Sequence, residues 1–114
     1  MAAGSVHIPW YATLFRGDSF AEALEEIAPL ALRYGATSYT VYRSRDDQYK
    51  FVHATEFDEK IQWERYWNGP EFSDWRAKYT SWYQVPVLYV WHDVVASGVS
   101  ELVSAHGGLG PDAA

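Results

Sequence analysis

Apolar residues follow two rhythms along this 114-residue chain. Residues 7–16, HIPWYATLFR, alternate and predict a strand, with Pro9 suited to an edge or a strand start. Gly17-Asp18-Ser19 predicts a turn, and Ser19 followed by Glu22 has capping-box spacing. Phe20, Ala23, Leu24, Ile27, Ala31 and Tyr34 then recur at helical spacing, with Gly35 fitting the position just past the end. Pro29 lies inside that helix and predicts a kink. Residues 37–44 (TSYTVYRS) and 50–57 (KFVHATEF) predict two strands joined as a hairpin through Arg45-Asp46-Asp47-Gln48. Asp58 is placed to cap a second helix reaching about Trp67. Asn68-Gly69 ends it, and Pro70 suits the first position of another helical piece reaching about Trp82. Residues 86–95, PVLYVWHDVV, predict a fourth strand. Residues 1–6 read as an N-terminal extension, 7–96 as one domain, and 97–114 as a flexible tail with a short helical turn around Ser100 to Ala105.

The order is β-α-β-β-α-β. That predicts an α+β, ferredoxin-like domain: a four-stranded antiparallel sheet with two helices on one face. Strand side chains alternate between faces. Ile8, Trp10, Ala12 and Leu14, with Val41, Val52, Ala54, Leu88 and Val90, make mostly aliphatic sets suited to packing on the helices. Tyr11, Thr13, Phe15, Thr40, Tyr42, Phe51, His53, Thr55, Tyr89 and Trp91 are expected on the other face. Such a face is too large and aromatic for water, so a second copy is expected to cover it as a homodimer. Its Thr, Tyr and His groups suggest more than packing. They suit a cavity with apolar walls and a few convergent polar groups.

Charge and composition narrow the chemistry. The net charge is -6, and no basic run or stripe offers itself to nucleic acid. No cysteine is present, which removes thiolate nucleophiles and Cys-type zinc sites. The uncharged stretch from Tyr79 to His92 is too short for a bilayer and contains Pro86, and MAAGSVHIPW lacks the features of a signal peptide. A cytoplasmic protein without membrane or nucleic-acid partners is expected. The histidines and acids show no metal-ligand spacing, so no metal is expected. Aromatic residues are 18% of the chain, more than a small core readily hides.

Tyr34-Gly35 before the second strand, Tyr39-Thr40-Val41-Tyr42-Arg43 within it, Phe51 to Asp58 leading into the second helix, and Asn68-Gly69-Pro70 breaking that helix form a series over about residues 7–95. This series resembles the dimeric α/β-barrel superfamily, and within it the antibiotic biosynthesis monooxygenase family. The resemblance implies a dimeric barrel. It also implies small oxygenases that use no metal, flavin or haem on phenolic polyketides or hydroquinones. A haem-degrading branch is resembled locally. That branch uses a first-strand Asn, a Trp in the second helix and an axial His after Asn-Gly-Pro. Here Tyr66 or Trp67 matches the Trp, but Trp75 stands at the His position and Tyr11, Ala12 and Thr13 supply no Asn. An indole nitrogen is a donor only and cannot ligate iron.

Cofactor-free oxygenation requires deprotonating an electron-rich phenol or quinol, holding the anion near O₂, and excluding water. His53 is the expected base, because imidazole titrates near neutral pH. Tyr11 and Tyr42 are expected beside it as catalytic oxyanion donors, with Thr55 and Tyr89 able to assist. Phe15, Trp67 and Trp91 are expected to stack on a small aromatic substrate, Asn68 to bond a carbonyl at the cavity mouth, and Thr13 to contact the substrate. No cofactor is expected. Two other readings use the same cavity: a non-catalytic dimer that binds a hydrophobic ligand, and a haem-binding or haem-degrading protein with altered ligation.

Overall fold

The computed structural model describes residues 3–101. The first strand, β1 (Gly4–Tyr11), starts three residues earlier than the alternation predicts and ends sooner. Gly4, Ser5 and Val6 therefore belong to the sheet and not to an N-terminal extension. Helix α1 (Gly17–Ile27) follows, and a 3₁₀ segment (Ala28–Tyr34) continues it. The change comes at Pro29, which has no N–H to give to the preceding turn. Gly35 ends the segment with φ 102°, a left-handed conformation that costs a residue without Cβ little. The hairpin β2 (Ser38–Arg43) and β3 (Lys50–Phe57) matches expectation closely. Helix α2 (Lys60–Asn68) gives way at Gly69 to α3 (Pro70–Lys78), so the Asn-Gly-Pro break is real and Pro70 opens the second piece.

Three local expectations shift. Helix α1 has Arg16 as its N-cap and no side-chain cap, so the Ser19–Glu22 box does not form. Helix α2 is capped by Glu59 with Gln62, one residue beyond Asp58. Strand β4 is only Val90–Asp93, and residues 84–89 cross to it outside the sheet. Most of the expected turn at Ser100 to Ala105 lies outside the described residues.

The strands are antiparallel neighbours in the order β2-β3-β1-β4, the ferredoxin-like arrangement. Register decides the faces. Trp10 lies opposite Phe51, Ile8 opposite His53, and Val6 opposite both Thr55 and Trp91. These positions share the helix-covered face, where Val6, Ile8, Trp10, Phe51, His53, Thr55 and Phe57 are all buried. The expected grouping is therefore corrected. Phe51, His53, Thr55 and Trp91 face the helices. Val52, Ala54 and Val90 share the open face with Tyr11, Thr40 and Tyr42. The physical reason is volume. Gaps between the sheet and its helices are filled by large rings, while the smaller aliphatics sit on the open side.

Trp10 is the hub of the core. Its ring lies 5.0–5.5 Å, centre to centre, from Tyr83, Trp75 and Phe20. Trp75 donates from Nε1 to the Ala23 carbonyl at 2.9 Å, tying α3 to α1, and Tyr66 donates to the Ile27 carbonyl at 2.8 Å. No helix among the described residues is long and apolar enough to cross a membrane.

Candidate active site

Among the described residues, three buried polar side-chain atoms have no protein partner: His53 Nε2, Thr55 Oγ1 and Trp63 Nε1. Leaving such a group unsatisfied costs about 1–3 kcal/mol, so several in one small core require a reason. His53 and Thr55 are two residues apart on the helix-covered face of β3. Two rows across the sheet hold them, Val41-His53-Ile8 and Tyr39-Thr55-Val6-Trp91. Trp63, on α2, lies over Phe57 at the end of the same strand, with ring centres 6.2 Å apart.

Aromatic rings border His53 and Trp63. Trp63 stacks on Trp67 at 5.5 Å with 23° between planes, and Tyr89 meets both edge-on at 4.9 and 5.4 Å. Phe72 lies 6.1 Å from His53 and 4.9 Å from Trp67. Trp67 and Tyr89 are only half-buried and meet as a rim between α2 and the 84–89 crossing, while half-buried Trp91 stands on β4 opposite Val6. Gly4 allows Trp91 to lie flat, since a Cβ there would collide with its ring.

The state of His53 follows from one contact. Trp10 Nε1 points at His53 Nδ1 at 3.4 Å, and an indole N–H can only donate. Nδ1 therefore accepts, and the proton of the neutral ring resides on Nε2, the atom without a partner. Burial holds the ring neutral by pushing its pKa from 6.5 to about 4. Two N–H donors and one hydroxyl are thus buried without partners beneath the helix-covered side of the sheet. That array suits an oxygen acceptor, and above all an oxyanion.

No family model matches the sequence, and no curated protein does. Solved structures do match. A Nitrosomonas europaea protein provisionally named an antibiotic biosynthesis monooxygenase aligns with a TM-score of 0.75 at 16% identity, over 82% of this chain and 91% of its own. The Mycobacterium tuberculosis protein Rv0793 gives 0.74 at 15%, over 86% of this chain and all of its own. A mutant of SnoaB, a cofactor-independent oxygenase from Streptomyces nogalater, gives 0.73 at 12%, over 85% and 97%. The chain has the antibiotic biosynthesis monooxygenase-like fold.

In this fold the structure gathers five of the ten expected site residues: His53, Thr55, Trp67, Tyr89 and Trp91. The other five lie elsewhere. Tyr11 is on the open face, donating to Asp47 Oδ2 at 2.6 Å. Tyr42 is exposed on that face. Thr13 leaves the strand and donates to the Ser81 carbonyl at 2.9 Å. Phe15 is 86% exposed and borders an outer groove of about 500 Å³ with Gly17, Asp18, Arg43, Gln48 and Tyr49. Asn68 borders another groove, of about 510 Å³, with Tyr34, Ile61, Glu64, Arg65, Gly69 and Pro70. Trp63 was not among the expected contacts, because its place in the series of Trp63, Trp67, Trp75 and Trp82 suggests a packing stripe. The series in fact divides. Trp63 belongs to the trio and stacks on Trp67, while Trp75 is a hydrogen-bonded core tie at the position a haem ligand would need. The one sequence signal for Trp63 is that a buried indole must place its N–H somewhere.

Proposed function

We propose that the chain is a cofactor-independent oxygenase of a small electron-rich aromatic substrate, working as a homodimer paired through the open sheet face. The observation that carries the reading is the trio of unpartnered polar atoms buried on the helix-covered side among aromatic residues. The name of one solved neighbour, a cofactor-independent oxygenase, supports the same class of reaction. Pairing is supported by exposed Tyr11, Tyr42 and Val90 on the open face.

A phenol or quinol enters past Trp67 and Tyr89 and loses its proton to solvent as it is engaged. Its oxygen is held by His53 Nε2–H, Trp63 Nε1–H and the Thr55 hydroxyl. His53 acts here as a donor and not as the base, because its lone pair faces Trp10. The anion passes electrons to O₂ at an activated CH₂ carbon. One oxygen atom becomes the new carbonyl, and the other leaves as water with the two hydrogens from that carbon. Aromatic walls exclude bulk water and strengthen the donors.

Oxygen uptake with a panel of hydroxyanthrones, which carry both a phenol and an activated CH₂ carbon, tests this. The protein should consume O₂ above the buffer rate, and His53→Leu, which removes the N–H donor, should lower kcat about 10²-fold, the usual cost of losing one oxyanion donor. A wild-type protein that adds nothing to autoxidation would overturn it. The weak basicity of His53 favours a second reading, a non-catalytic binder of the same ligands. Quenching of Trp fluorescence without O₂ uptake would select that reading.

A further inference from the structure

Arg76 stands beside the same enclosure in an unusual state. Its guanidinium carbon lies 3.8 Å from the centre of the Trp67 ring and 5.1 Å from that of Phe72. Nη1 donates to the Trp67 carbonyl at 2.8 Å. That contact caps the end of α2, where a cation is favoured by the helix dipole. It uses one of five N–H donors. The side chain is half-buried, and burial lowers its pKa. Acids outnumber bases 15 to 9 in the chain, yet the ion pair found among the described residues is Arg43–Asp18, between the end of β2 and the first turn of α1. A partly desolvated cation with no carboxylate is costly. A cap alone does not require a guanidinium stacked on the ring that forms the rim of a ligand enclosure.

We propose that Arg76 is the anion reader of this site, and that the aromatic ligand carries a carboxylate, held at the rim by the free edge of the guanidinium. The inference rests on the proposed location of the ligand but not on turnover. A guanidinium presents a planar fork that matches a carboxylate with two parallel bonds. Trp67 fixes the plane of that fork from one side. The ligand is thus an aromatic acid with a phenolic oxygen at one end, for the trio, and a carboxylate at the rim.

The test is a fluorescence titration with 6-hydroxy-2-naphthoate, whose hydroxyl and carboxylate lie at opposite ends, and its methyl ester. The wild type should bind the acid about 10-fold to 100-fold more tightly than the ester, the range for a hydrogen-bonded charge pair. That preference should weaken as salt rises. Arg76→Gln should bring the acid down to the ester's affinity and leave the ester unchanged. Arg76→Lys should retain part of the preference. Equal binding of acid and ester by the wild type overturns the inference, as does an equal loss of both in Arg76→Gln. If Arg76→Gln does not fold, the wild-type preference and its salt dependence decide alone. Binding of neither compound fails the ligand enclosure itself, and tight acid binding by a protein that adds nothing to O₂ uptake with hydroxyanthrones fails only the oxygenase reading.

Discussion

The two faces of the sheet carry similar kinds of residue to opposite ends. On the helix-covered face, large rings pack around Trp10, and among the described residues the trio are the buried side-chain polar atoms left without a partner. On the open face, polar groups satisfy one another in water. Tyr11 bonds Asp47, Ser5 Oγ lies 3.2 Å from His7 Nε2, and the His7 and His92 rings sit 4.5 Å apart. A histidine therefore means different things on the two faces. His7 is partly solvated and near Glu56 and His92, and burial together with His92 lowers its pKa. His53 is sealed among aromatics with no charge beside it, and burial alone shifts it. The lesson is that unsatisfied polarity marks a site better than residue type does.

The largest effect should come from emptying the covered face. Trp10→Ala should lose about 3–5 kcal/mol in urea unfolding, the usual range for an aromatic removed from a packed core. Tyr42→Ala, on the open face, should change protomer stability by about 0.5 kcal/mol or less while weakening the dimer in size-exclusion runs. Similar losses in both variants would break the contrast between faces.

The pH dependence of stability should sharpen it. The folded-state pKa of His53 is depressed to about 4. Between pH 6.5 and pH 4 the unfolded chain therefore binds a proton that the folded chain refuses. Stability from this group is fully present above pH 6.5 and is lost as pH falls, by about 3 kcal/mol at pH 4. Urea midpoints of wild type and His53→Gln across that window should diverge by this amount. Parallel pH profiles would show that His53 is solvated or paired.

Much of the fold was legible because it is written in local signals. The hairpin from Ser38 to Phe57, the break at Gly69-Pro70 and the left-handed Gly35 each rest on turn or cap chemistry within a few residues. The site was half legible. His53 and Thr55 share a parity that period-2 alternation reports without ambiguity. Which face that parity serves depends on pairing Trp10 with Phe51, a contact 41 positions away in sequence. Choosing the face by aliphatic character put Tyr11 and Tyr42 beside His53, when they lie across the sheet from it. Thr13 and Phe15 were misplaced because β1 ends at Tyr11 and the chain turns there. Phe15 takes φ 67°, a conformation no strand contains.

Thr55→Val tests most directly whether the trio is kept for a ligand at a cost to the fold. Valine has nearly the shape of threonine and replaces the unpartnered hydroxyl with a methyl group. If no protein group uses that hydroxyl, urea unfolding of the ligand-free protein should show unchanged stability or a gain of up to about 1 kcal/mol. A loss of more than about 1 kcal/mol would mean that Thr55 is already satisfied within the protein and serves the fold, contradicting the account.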